Sequence, residues 1–155
     1  MPAGGVAEDL GASPGGWTRI VRRGGLTVSA VDPGELDPRV ATDPGVHHVR
    51  RTAGRFLAET GVVFDLVLND MQMVAGLSRQ VMLEAARRLK PGARHHDPEA
   101  FAARSPQDVN KACAILARSS DVLFARQLYH SRNEITVVAR RRSRAIAVPC
   151  GGPTP

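Results

Sequence analysis

Lysine is scarce in this chain. Lys90 and Lys111 are the only two among 21 basic side chains, and the rest are arginine. With abundant Ala, Gly and Pro, that choice of cation points to a GC-rich gene. Cysteine is also sparse. Cys113 and Cys150 lie far apart and fit no metal-binding spacing, so two free thiols are expected. Aromatic residues make up only 4% of the 155 positions, which leaves core packing to aliphatic side chains. No apolar run is long enough to span a membrane. The opening residues, MPAGGVAEDLG, lack the basic region and apolar core of a secretory signal. A cytoplasmic protein is the expectation.

What is present suits one domain. The hydrophobic fraction of 43% is enough for a core at this length. Twenty-one basic residues against 15 acidic ones give a net charge of +6, a balance that suits a polyanion such as RNA.

Short aliphatic runs alternate with amphipathic stretches. Residues 26–31 read as a buried strand ending at Asp32 and a Pro33-Gly34 turn. Residues 46–49 form a weaker strand pattern, and residues 62–69 the strongest, ending at Asp70. Residues 73–89 have helical spacing and stop at Lys90-Pro91-Gly92. A helix is expected over residues 107–118. Two strands, 121–129 and 134–141, are expected around a polar turn at residues 130–133. Residues 1–141 then make one domain, and the basic, Gly/Pro-rich residues 142–155 make a disordered tail. Strands alternating with helices imply an α/β fold with a mainly parallel sheet and an antiparallel hairpin at its C-terminus. Ligands of such sheets sit at the carboxyl ends of the strands.

The segment Asp9-Leu10-Gly11-Ala12-Ser13-Pro14-Gly15-Gly16-Trp17-Thr18 carries the most information. Its small residues let backbone approach a ligand closely, and a helix begins where the loop ends. It matches neither the dinucleotide pattern G-x-G-x-x-G nor a P-loop. Asp32 follows Gly16 at the next strand end, where a carboxylate accepts both hydroxyls of a ribose. The plainer role for Asp32 is to cap the Pro33-Gly34 turn.

That glycine segment is very similar to the S-adenosylmethionine motif of FtsJ-type RNA methyltransferases. Val67-Leu68-Asn69-Asp70-Met71 resembles the family's fourth-strand motif. Ala125 to Val137, with Gln127, Tyr129, His130 and Glu134, resembles the last hairpin of its RlmM-like branch, which methylates a cytidine ribose in large-subunit ribosomal RNA. The resemblance implies a Rossmann-like class I methyltransferase fold with S-adenosyl-L-methionine as cofactor. It further implies 2′-O-methylation of ribose in RNA, with ribosomal RNA as partner. Asp70 and Glu134 correspond to the two carboxylates of a Lys-Asp-Lys-Glu catalytic tetrad. Gly11, Ser13, Pro14, Gly15, Gly16, Trp17, Asp32, Thr52 and Asp70 correspond to cofactor-binding positions. Thr52 stands where the family usually has an acid beside the adenine. Tyr129, His130 and Arg132 face RNA or are ordinary turn residues. No metal is implied.

The chain departs from that pattern at both tetrad lysines. Only eight residues precede Asp9, and residues 4–8 are a poor first strand, so truncation at the N-terminus is expected. Residues 93–101, Ala-Arg-His-His-Asp-Pro-Glu-Ala-Phe, occupy the place of a hydrophobic strand carrying the second lysine. Their composition argues against a buried strand, and irregular backbone or poor satisfaction is expected over residues 94–106. His95, His96, Asp97 and Glu99 make a poor metal set, because adjacent histidines on a strand point to opposite faces. A frame-shift near residues 93–106 is the hypothesis. Shifting the reading by one base from Gly92 allows Ala-Leu-Val-Ile-Met-Thr-Leu-Lys-Leu, with the lysine encoded across Glu99 and Ala100. Two rivals to the enzyme remain: a catalytically dead fragment that at most binds cofactor or RNA, and an NAD-dependent Rossmann oxidoreductase.

Overall fold

The computed structural model describes residues 4–71, 75–101, 120–127 and 135–141, with residues 114 and 117. Apart from residues 114 and 117, the helix expected over residues 107–118 lies outside the described residues, as does the tail 142–155. Seven strands form one sheet in the order β3-β2-β1-β4-β5-β7-β6. They are β1 (Val6–Leu10), β2 (Thr27–Val31), β3 (Val46–Val49), β4 (Phe64–Asn69), β5 (Leu89–Phe101), β6 (Ser120–Gln127) and β7 (Ile135–Arg141). Strands β1 to β5 run parallel to one another. Strand β7 is antiparallel to β5, and β6 to β7. The turn expected at residues 130–133 lies outside the described residues. Four helices connect the parallel strands: α1 (Gly16–Arg23), α2 (Pro38–Ala41), α3 (Ala53–Glu59) and α4 (Ala75–Arg87). Among the described residues no helix is long and apolar enough to cross a membrane.

Alternation along the strands builds a core on each face. Ala7, Val28, Leu66 and Leu68 pack with Val21 of α1 and with Leu26. Leu10, Val31 and Val67 pack with Leu57 of α3 and with Val81 and Ala85 of α4. Phe64, Leu10, Leu26 and Leu89 are fully buried. Each such side chain stabilises the fold by roughly 1.5–3 kcal/mol relative to exposure. This accounts for a core built with so few aromatics.

Two sequence expectations need correction. Val6 to Glu8, in the segment that reads as a poor first strand, do enter β1, which lies inside the sheet between β2 and β4. Two ladders fix it where its own composition would not. Leu89 belongs to β5 rather than to the preceding helix, which ends at Arg87. It pairs with Phe64 and is fully buried. Strand β5 also continues through residues 94–101, although their composition argues against a strand there; of the two outcomes expected, irregular backbone or a place in the sheet, the structure takes the second. Arg94, His95 and His96 pair with Leu66, Val67 and Leu68 of β4 and with Arg140, Ala139 and Val138 of β7. Neighbours on both sides satisfy the backbone whatever the side-chain preference. The ladder breaks where the breakers are. One register shift spans Pro91 and Gly92, and the other, between Asp97 and Phe101, spans Pro98. The short helices α2 and α3 were not foreseen.

Candidate active site

The glycine loop is a junction between three strand ends. Gly11 N–H donates to the Val31 carbonyl at 3.0 Å, and Asp70 N–H donates to the Leu10 carbonyl at 2.9 Å. Gly11 has φ +81°, and a Cβ there would lie 2.8 Å from Met71 Cγ and 2.9 Å from Met71 N. Only glycine lets the exit of β1 pass this close to the exit of β4. The Ser13–Pro14 peptide is cis. Gly15, at φ +113°, is the N-cap of α1 and lies against Val40.

Asp32 ties the loop to the end of β2. Its Oδ2 accepts the Ser13 N–H at 3.2 Å, and its Oδ1 accepts the Gly34 N–H at 2.7 Å. The turn-capping role is therefore real, and the same carboxylate also orders the glycine loop. Ser13 Oγ donates to the Glu35 carbonyl at 2.8 Å, which closes the loop from the other side. Thr52 is the N-cap of α3, yet its hydroxyl caps no helix N–H. Asn69 is fully buried, and its Oδ1 accepts the Met71 N–H at 3.3 Å.

These residues enclose a cavity of about 490 Å³ at the carboxyl ends of the parallel strands. Gly11, Ser13, Asp32, Thr52 and Asp70 stand together in its wall. Pro14, Gly15, Gly16 and Trp17 are not in that wall; Trp17 packs instead against the Ala7, Val21 and Leu26 cluster. Glu134, Tyr129, His130 and Arg132 lie outside the described residues, as do the side chains of His95, His96, Asp97 and Glu99. Sequence reasoning missed two residues. Asp9 is fully buried and accepts a 2.6 Å hydrogen bond from Thr18 Oγ1. Glu8, beside it, is fully buried with neither carboxylate oxygen hydrogen-bonded. An acidic pair inside an otherwise apolar strand was the available signal.

Burial sets the charge of both acids. Desolvation pushes the Glu8 carboxyl up to about 8, against a smaller lowering by the Arg88 guanidinium. Desolvation raises Asp9 to about 6, opposed by the Thr18 hydrogen bond and reinforced by the nearby Asp70 and Asp32 carboxylates.

The cleft fits a small ligand bearing hydroxyls and positive charge. The family model for FtsJ-like methyltransferases matches residues 1–96. This chain belongs to the FtsJ-like methyltransferase family. A protein named ribosomal RNA large subunit methyltransferase M, from Halorhodospira halophila, is 41% identical over 135 residues, covering 87% of this chain and 39% of its own. One of the same name from Xylella fastidiosa is 34% identical over 146 residues, covering 89% and 40%. The FtsJ-like chain thus spans about two fifths of the length of these curated relatives. Solved methyltransferases share the fold. The N-methyltransferase NodS from Bradyrhizobium japonicum WM9 superposes with a TM-score of 0.68 at 16% identity, over 91% of this chain and 88% of its own. The Burkholderia thailandensis 1,6-didemethyltoxoflavin-N1-methyltransferase does so at 0.70 and 16%, over 91% and 72%. Family membership removes the oxidoreductase alternative.

Proposed function

We propose that this FtsJ-like domain binds S-adenosylmethionine in the cleft and methylates a ribose 2′-hydroxyl of RNA, with ribosomal RNA as the substrate. The observation that carries this reading is the meeting of Gly11, Ser13, Asp32, Thr52 and Asp70 in one wall. The fit is chemical as well as spatial. Gly11 keeps the wall flat where a Cβ would strike Met71. Asp32 holds both oxygens at the cleft, each with a further lone pair for a ribose hydroxyl. Asp70 supplies negative charge for the methionine end and the sulfonium. Thr52 stands beside the adenine position.

When bound, the cofactor supplies an electrophilic methyl group. The chain's residues then have two tasks. They would hold the sulfonium in line with the hydroxyl, and they would stabilise departure of the hydroxyl proton as the methyl carbon–oxygen bond forms and the carbon–sulfur bond breaks to leave a thioether. Asp70 is the described carboxylate placed for the second task. Family resemblance adds Glu134, outside the described residues, and a lysine on the strand after Pro91-Gly92 that this chain does not carry at the matching position. The excess of arginine favours binding to phosphates, and RNA affinity should fall as salt rises.

Names of the relatives support ribosomal RNA as the substrate class. The test is transfer of labelled methyl from S-adenosylmethionine to ribosomal RNA, followed by mapping of the product to a ribose. Label at a 2′-oxygen supports the reading. Cofactor binding with no transfer, in the chain supplied with the rest of its relatives' length, overturns it in favour of a binding module.

A further inference from the structure

Three carboxylates converge at the ends of three adjacent strands. Asp9, the penultimate residue of β1, pairs with Ala30 of β2 and Leu68 of β4. Cross-strand partners share a face of the sheet, and the period of two carries that face on to residues 32 and 70. Both positions are aspartate, and both line the cleft. Asp9 lies further in along the same face and is wholly buried. Its Oδ2 accepts from Thr18, while its Oδ1 has no hydrogen-bond partner among the described residues.

We propose that Asp9 couples the cleft to protons: it holds a proton in the free chain in mild acid and releases it to solvent when a cofactor binds with its sulfonium against Asp70. The proposal rests on the cofactor reading above and adds its regulation. Burial is the main cause that lifts the Asp9 carboxyl to about 6, and Asp70 and Asp32 lift it further. From the elements around it, α1 contributes the uncharged Thr18, the end of β4 contributes Asp70, and the end of β2 contributes Asp32. Glu8 stands on the opposite face of β1. A positive charge beside Asp70 offsets the repulsion of Asp9 by that carboxylate and favours the ionised form of Asp9.

The sign follows from linkage. A ligand that lowers the Asp9 value binds more tightly as pH rises toward the free-chain value, and the gain levels off above it. S-adenosylhomocysteine keeps the ammonium and carboxylate of the cofactor but has a neutral thioether. It should drive much less proton release. The domain then discriminates cofactor from spent product best near neutral pH and less well in acid.

Calorimetric titration of the whole chain with each of the two ligands, at about pH 5.5 and about pH 7.5, tests this. The ratio of S-adenosylmethionine to S-adenosylhomocysteine affinity should rise several-fold between the two conditions. Asp9→Asn should flatten the ratio. Thr18→Val removes the hydrogen bond that lowers Asp9, so it should move the transition to higher pH, and it serves if the Asn variant fails to fold. A ratio equal at both pH values overturns the proposal, as does full pH dependence in Asp9→Asn. Failure of both ligands to bind at any pH overturns the cofactor reading itself, whereas binding with a flat ratio overturns the coupling alone.

Discussion

The Thr18 hydroxyl donates a 2.6 Å hydrogen bond to the Asp9 carboxylate, with both residues fully buried. The bond fastens α1 to the central strand just ahead of the glycine loop. Thr18→Val keeps the shape of the side chain and removes the donor. It removes the side-chain donor from a buried carboxylate while the Thr18 backbone N–H bond stays, at a cost of roughly 1–3 kcal/mol. Urea unfolding of the variant at neutral pH should show a lower midpoint with an unchanged slope. An unchanged midpoint would mean that the bond contributes nothing.

Glu8 makes a separate prediction on pH. Its folded value is about 8 against an ordinary 4.5, because burial disfavours the charged form. Below the ordinary value both folded and unfolded chains are protonated, and there is no penalty. Between the two values the unfolded chain loses the proton that the folded chain keeps. Stability should therefore fall through that window by up to about 1.4 kcal/mol per pH unit, then level off above it. Glu8→Gln should remove this part of the slope in denaturation measured across the window. A native chain that gains stability from mild acid to mild alkali would contradict the assignment.

Gly11→Ala tests the close approach of the two strand ends. The substitution places a Cβ 2.8 Å from Met71 Cγ at a φ of +81°. Alanine is disfavoured at positive φ, and the destabilisation should exceed about 1 kcal/mol. Cofactor affinity should fall as well, since Met71 can yield only by moving in the cavity wall. Thermal melting with and without cofactor separates the two effects.

Strand β5 carries the frame-shift hypothesis. Pro98 and five ionisable residues lie within its stretch from Arg94 to Phe101, beside β4 and β7. Replacing residues 93–101 with Ala-Leu-Val-Ile-Met-Thr-Leu-Lys-Leu supplies β-branched residues and removes the proline. The replaced chain should unfold at higher denaturant. The nucleotide sequence across codons 90 to 110 settles the origin: compensating single-base shifts support the hypothesis, and homologous coding in one frame refutes it.

Much of this architecture was legible because its signals are local. The strand ending at Asn69 is an aliphatic run closed by a polar breaker. The glycine loop, Asp32 and Asp70 are marked by residue type at strand ends. What escaped sequence reading is set by neighbours. Val6 to Glu8 look too weak for a strand until β2 and β4 flank them. Arg94 and His95 look too polar until two ladders hold their backbone. Helix α3 has seven residues, too few for a convincing period. Asp9 was visible in the motif, but its role depends on burial and on Thr18, nine positions away.

The central claim is that the cleft takes S-adenosylmethionine, with Asp32 at its ribose. Calorimetric titration of the native chain and of Asp32→Ala tests it most directly. The account predicts saturable binding with one site in the native chain. In the variant it predicts an affinity weakened by roughly 1–3 kcal/mol, the scale of losing a charged hydrogen-bond partner. Equal affinity in the two chains, or no binding by the native one, would contradict it.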